Sequence, residues 1–207
     1  MLDLDTILPE NTSEEIILPL ENSKISYHRY FLSEKKADFY FQKLMKDTSW
    51  QQDDITVFGK TYAQPRLTAL YVEAGKPYTY SGITLNPSPF EDLHLEILEQ
   101  LQSVTETGFT SVLLNLYRDG NDSNGWHADD EKELGKNPVI ASVSLGAKRY
   151  FQLKSKENPK QTYKISLHHG SLLLMEGLTQ HYWLHQLPKS KKITTPRINL
   201  TFRKIEG

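Results

Sequence analysis

The stretch Arg197-Ile198-Asn199-Leu200-Thr201-Phe202-Arg203, close to the end of the 207-residue chain, decides the fold class. Residues two apart in a strand face the same side, so Arg197, Asn199, Thr201 and Arg203 share one face and Ile198, Leu200 and Phe202 the other. Alternation of this kind demands a strand with one face on an apolar core. Two arginines and two neutral hydrogen-bonding groups in a row also suit a dicarboxylate, because guanidinium pairs with carboxylate through two parallel hydrogen bonds. From patterning alone, a strand with its polar face in water reads the same way.

The period of two recurs upstream, in strand-like runs at 110–117, 138–153, 162–167, 171–176 and 181–187, punctuated by Gly120, Gly125, Gly135, Gly146 and Gly170. In the first run Leu113, Asn115 and Tyr117 share a face, so Asn115 and Tyr117 can bind the same small acid as the arginines. Before Phe109 the period is helical. Ser33 caps a helix carrying Ala37, Phe41, Leu44 and Met45. Ser88-Pro89-Phe90-Glu91 reads as a capping box with Pro at the first helical position, followed by Leu93, Ile97, Leu101 and Val104 and a stop at Gly108. The expectation is an α+β chain, mainly β: a sandwich or jelly-roll barrel with the N-terminal helices packed on one sheet.

Composition bounds the function. With 38% hydrophobic and 24% charged residues and a net charge of -2, the chain is neither disordered nor fibrous and suits a single domain. No apolar run approaches the roughly 20 residues of a membrane span. The start, MLDLDTILPE, is acidic where a signal peptide would be basic. The absence of Cys excludes disulfides, thiolate nucleophiles and zinc–thiolate sites, leaves His and carboxylates as metal ligands, and suits a reducing compartment. Charge is unevenly spread. Residues 1–25 set six acids against Lys24 alone and read as an acidic arm, extended and in part disordered, ahead of a single domain over 26–207. From Lys148 onward twelve Lys and Arg face three Glu, an excess that attracts a polyanion or simply keeps a surface solvated.

The chemistry is concentrated in Gly125-Trp126-His127-Ala128-Asp129-Asp130. In an extended segment His127 and Asp129 can direct an imidazole and a carboxylate at one ion. His185, in His181-Tyr182-Trp183-Leu184-His185, is the candidate third ligand, although spacing leaves His181, His168 and His169 open. Two His and a carboxylate on a β scaffold make the facial triad of a non-haem Fe(II) oxygenase, with three coordination positions free. Joined to the row of donors on the last strand, the triad implies an iron enzyme that consumes a keto acid.

Four stretches also carry a resemblance: Asn115 to Asp130 (NLYRDGNDSNGWHADD), Ile140 to Arg149 (IASVSLGAKR), His169 to Met175 (HGSLLLM) and Pro196 to Lys204 (PRINLTFRK). They resemble the AlkB family of Fe(II)- and 2-oxoglutarate-dependent dioxygenases, over about residues 26 to 205, and in particular its members that repair alkylated duplex DNA. The resemblance implies a double-stranded β-helix. It implies Fe(II) on His127, Asp129 and His185, and 2-oxoglutarate on Asn115, Tyr117, Arg197, Thr201 and Arg203, with Asn199 on the same cradle. The activity implied is oxidation by O2 that strips N-methyl groups from lesions of the 1-methyladenine and 3-methylcytosine type, releasing formaldehyde, succinate and CO2.

Substrate contacts follow from the same resemblance. Val57-Phe58-Gly59-Lys60 matches a hairpin that inserts an aromatic side chain, here Phe58, into the gap left by a flipped base. Tyr78 and Tyr80 match a segment lining the base pocket, and Asp130 and Glu131 match residues that face the base. Pro65-Arg66 is a further match. Lys191 and Lys192 match a loop that grips the phosphate backbone, where Ser190 stands in place of the arginine of duplex-acting members. Between the first two ligands Ala128 lacks the long polar side chain of near relatives. The implied partner is alkylated DNA, bound by a monomer in the cytoplasm with the nucleoid of a bacterium or in a eukaryotic nucleus. The alternatives are an RNA demethylase, a protein hydroxylase of the same chemistry, and a catalytically silent nucleic-acid-binding module.

Overall fold

The computed structural model describes residues 1–7, 15–57, 60–73 and 87–206, with 55–57 and 60 as backbone only. In chain order it contains β1 (Leu2–Asp3), β2 (Ile16–Ile17), β3 (Lys24–His28), α1 (Glu34–Asp47), β4 (Asp54–Val57), β5 (Lys60–Ala63), β6 (Leu67–Val72) and β7 (Ser88–Pro89). These are followed by α2 (Asp92–Leu101), β8 (Ser111–Tyr117), β9 (Asn124–His127), β10 (Ile140–Gly146), β11 (Arg149–Ser155), β12 (Thr162–Leu167) and β13 (Ser171–Glu176). The one-turn helix α3 (Thr179–Tyr182), β14 (Trp183–Leu187) and β15 (Arg197–Arg203) complete the order. A major sheet runs β2-β3-β13-β10-β15-β8-β6-β7, a minor sheet runs β1-β12-β11-β14-β9, and β4 and β5 pair separately. This is the expected mainly β jelly roll.

The strand that opened the sequence argument lies at the centre of the major sheet, between β10 and β8. Ile198, Leu200 and Phe202 are fully buried with Leu114, Val143 and the apolar faces of α1 and α2. Each such side chain contributes roughly 1.5–3 kcal/mol on leaving water. The helices therefore cover the outer face, as expected, and the polar row of β15 turns inward between the two sheets. Arg197, Thr201 and Arg203 are all buried, so this polar row is not a solvent face. Elsewhere between the sheets the packing is apolar, with Ile25, Ile140 and Leu173 of the major sheet against Leu153, Ile165 and Trp183 of the minor.

Several boundaries depart from the sequence reading, among them the start of the 181–187 run, whose first two residues close α3. The run 138–153 is two strands in two different sheets. They are separated at Gly146, whose φ of +84° lets the chain turn and where a Cβ would press on the Pro196 carbonyl and the Phe41 ring. The second helix begins three residues late: Ser88 and Pro89 pair with β6 as an edge strand, and Glu91 is the N-cap. His94 supplies the capping contact, its Nδ1 accepting the Glu91 backbone N–H at 3.1 Å. That helix ends at Gln102 rather than at Gly108. Ser33 does cap α1, and the Tyr40 hydroxyl donates to Glu96 at 2.6 Å to tie the two helices together.

The described parts of the acidic N-terminal stretch are laid along both sheets. β1 pairs in parallel with β12, β2 pairs with β3, and Leu4, Ile16, Leu18 and Leu20 are buried. The acids there have partners too: Asp3 pairs with Lys164 at 2.8 Å and Asp5 accepts the Ser166 backbone N–H. Among the described residues no helix is long and apolar enough to cross a membrane.

Candidate active site

His127 on β9 stands directly opposite His185 on β14 in the antiparallel ladder, with ring centroids 4.3 Å apart. Asp129 follows two residues after β9, and the ligand atoms of all three lie within 4.8 Å of one another. His127 Nδ1 donates to the Gly125 carbonyl at 2.8 Å, and its Nε2 accepts from the Asn124 amide at 3.3 Å. The Nδ1 contact puts the lone pair on Nε2, where a metal would take the place of the Asn124 amide. His185 stacks on Phe151 with centroids 5.3 Å apart. Burial first, then the neighbouring His127, push its pKa down to about 3, so it is a neutral imidazole at physiological pH.

Burial alone would raise the pKa of Asp129, but the nearby Arg203, His185 and His127 together with the Arg203 hydrogen bond outweigh it and hold the carboxyl below its ordinary range. Arg203 Nη2 lies 2.8 Å from Asp129 Oδ1. The Asp129 backbone N–H donates to Gln180 Oε1 at 3.0 Å, which fixes the loop that carries the ligand. Two imidazoles and one anchored carboxylate within reach of a single ion match the donor set of Fe(II) oxygenases. The other histidines that spacing left open are engaged elsewhere. His181 contacts Asn137 and the Lys136 carbonyl, His168 meets the Tyr27 hydroxyl, and His169 accepts the Gly146 N–H.

Strand register builds the second half of the site. Across β8, β15 and β10, Tyr117, Arg197 and Gly146 form one row, Asn115, Asn199 and Ser144 the next, and Leu113, Thr201 and Ser142 the third. Arg197 is 1% exposed. Its Nη2 donates to Ser144 Oγ at 2.8 Å, while Nε and Nη1 have no partner. Burial lowers its pKa to about 10, which still leaves it charged at neutral pH. A buried cation with open donors is costly unless an anion completes it, and a carboxylate fits that fork. Asn199 is occupied in holding Ser142 and the Val143 carbonyl, and Arg66 Nε donates to Asn115 Oδ1 at 2.9 Å.

The triad and this cradle line one cavity of about 520 Å³. Asp130 and Glu131 also line it, Asp130 paired with Lys156 at 3.0 Å. Lys191 and Lys192 are exposed on the β14–β15 loop, outside the lining. Val57 and Lys60 are backbone register partners in the β4–β5 pair. Phe58, Gly59, Tyr78 and Tyr80 lie outside the described residues. Sequence reasoning missed Gln64, Ser142, Ser144, Phe151 and Gln180. The two serines alternate along β10 in a visible period of two, but nothing local marks the other three.

Comparison with known proteins agrees with this geometry. The family model for the 2OG-Fe(II) oxygenase superfamily matches residues 24–203. The alpha-ketoglutarate-dependent dioxygenase alkB homolog 3 of Bos taurus is 43% identical over 210 residues, covering 95% of this chain and 71% of the relative. The DNA oxidative demethylase ALKBH2 of Homo sapiens is 42% identical over 180 residues, covering 82% and 69%. The solved structure of OsALKBH1 superposes with a TM-score of 0.62 at 16% identity, over 91% of this chain and all of its own, a likeness of fold.

Proposed function

The chain belongs to the AlkB family of the 2OG-Fe(II) oxygenase superfamily, and from that premise we propose that it oxidatively removes N-alkyl groups from damaged bases in DNA. The observation that carries this reading is the Arg197 guanidinium, buried with two open donors in the same cavity as His127, Asp129 and His185. A structural arginine would have its donors filled, whereas one that waits for the far carboxylate of a keto acid would not. When bound, Fe(II) and 2-oxoglutarate supply the oxidation: O2 is consumed as the keto acid becomes succinate and CO2 and the alkyl carbon gains a hydroxyl. An N-hydroxymethyl group then loses formaldehyde and leaves the restored base.

The chain's own residues set the conditions for that chemistry. His127, Asp129 and His185 would hold the metal, and Gly125 and Gln180 fix the orientation of the first two. Arg197 would take the distal carboxylate, with Tyr117, Asn115 and Thr201 beside it on the cradle. Arg203 keeps Asp129 anionic. Burial of Arg197, Asp129 and His185 between the sheets strengthens each of these charge contacts. Asp130 and Glu131 would face the base, Phe58 would enter the stack from the β4–β5 hairpin, and Lys191 and Lys192 would attract the phosphate backbone. The relative named as a DNA oxidative demethylase supports DNA as the polymer.

The test is anaerobic loading with Fe(II) and 2-oxoglutarate, followed by air and a duplex carrying one 1-methyladenine. Loss of one methyl with stoichiometric succinate is expected. Asp129→Ala should abolish turnover while binding DNA within a few-fold of wild type in a gel shift. Succinate without base repair would redirect the activity to RNA or protein, and neither product would leave a silent binding module.

A further inference from the structure

We propose that Gln64 reads the exocyclic amino group of the target base, a refinement that rests on the dealkylase reading above. Gln64 sits in the turn between β5 and β6, is 2% exposed and lines the cavity. Its backbone is fully engaged: the N–H donates to the Asp53 carbonyl, and its own carbonyl accepts from Arg66 N–H and Gln52 Nε2, each at 2.8 Å. Its side-chain Oε1 is buried and has no partner. An acceptor left so is unfavourable by itself. The turn also has no freedom to swing out and hydrate it, because Ser123 N–H holds the Pro65 carbonyl at 2.9 Å and Arg66 holds Asn115. Such an amide is kept for a ligand.

Charge says which ligand. The keto acid is a dianion and needs donors, which Arg197 offers. An amide oxygen offers nothing to a carboxylate, and neither does Glu131, which lines the same cavity and whose Oε2 likewise has no partner. Two open acceptors call for N–H donors. On an N-alkylated base those come from the amino group of 1-methyladenine or 3-methylcytosine, one of whose two hydrogens would go to Gln64 Oε1. A lesion without that amino group would bury the acceptor unpaired, the situation in which polar sites discriminate most strongly.

The test is a two-by-two comparison of kcat/KM. Wild type and Gln64→Met, which keeps length and removes hydrogen bonding, are assayed on oligonucleotides carrying 1-methyladenine or the same N-methylated purine without its amino group. Wild type should favour 1-methyladenine, and that preference should fall by about five- to ten-fold in Gln64→Met, the effect of one hydrogen bond. Gln64→Leu should behave alike, which guards against a local packing effect of Met. The Kd for 2-oxoglutarate, measured with Mn(II) in place of iron, should stay within two-fold. An unchanged preference in both variants would overturn the assignment, and so would ten-fold weaker 2-oxoglutarate binding, which would give the amide to the cosubstrate. Wild type that repairs no methylated base would overturn the dealkylase reading itself.

Discussion

Among the described residues, Arg197 donates to Ser144 and lies over the Tyr117 ring, 5.4 Å away. What it offers beyond charge is the planar fork, so Arg197→Lys separates the two. A lysine keeps the cation but cannot hold a carboxylate through two parallel bonds. KM for 2-oxoglutarate should rise by about ten-fold or more with a smaller change in kcat, since roughly 1.4 kcal/mol of binding corresponds to a factor of ten. An unaltered KM would place the distal carboxylate elsewhere. At this scale the sequence was legible where chemistry and period coincide: His127 and Asp129 are two apart, and Arg197 to Arg203 alternate. It named His185 as the third ligand without excluding His181 by spacing, because that choice depends on a cross-strand partner and on the Phe151 stack. It was silent on the hydrogen bond from Arg203 to Asp129, which spans 74 positions of chain.

The start of α2 shows how an element can be set by a residue whose type gives no warning. His94 is fully buried, packs on Tyr71 with centroids 4.1 Å apart, and uses its Nδ1 to accept the Glu91 N–H. Ser-Pro-Phe-Glu carried the stronger capping signal, but pairing of Ser88 and Pro89 with β6 overrides it. Burial pushes the His94 pKa down from 6.5 to about 4. Its folded-state value is therefore the lower one, the unfolded chain binds the extra proton, and stability is complete above pH 6.5 and lost as pH falls towards 4. The loss over that window is roughly 3 kcal/mol. Urea titrations of wild type and His94→Gln between pH 4 and 7 should show a shallower pH slope in the variant, and parallel slopes would contradict the assignment. A second element-scale device is Gly120, whose N–H and carbonyl pair with Ile193 and Ser190 on the β14–β15 loop and where a Cβ would fall on the Ser190 carbonyl. Gly120→Ala should displace the loop carrying Lys191 and Lys192, costing about 1–3 kcal/mol in stability. DNA affinity should also become less salt-dependent, as read by binding at two salt concentrations.

Across the whole molecule the space between the sheets is divided, one part packed with Leu153, Ile165 and Trp183 and the other left as a polar cavity. This division explains why the fold class was readable and its interior was not. Alternation says that a strand has two unlike faces, and only the helices over Ile198, Leu200 and Phe202 decide that the polar one turns inward. The same division couples stability to ligands. Arg197 and the His127–Asp129–His185 group are held in place without the partners their chemistry suits, so ligands that supply those partners bind the folded chain and not the unfolded one. At a hundred times Kd, binding of one ligand adds about 2.7 kcal/mol, which for a chain of this size raises Tm by roughly 5–10 °C. Mn(II) with 2-oxoglutarate should therefore raise Tm more than either alone. Asp129→Ala should lose the metal increment while keeping part of the keto-acid increment, because Arg197 is untouched. Equal shifts in wild type and Asp129→Ala would mean that the metal binds away from the triad, and no shift with 2-oxoglutarate would mean that the open donors of Arg197 serve another anion.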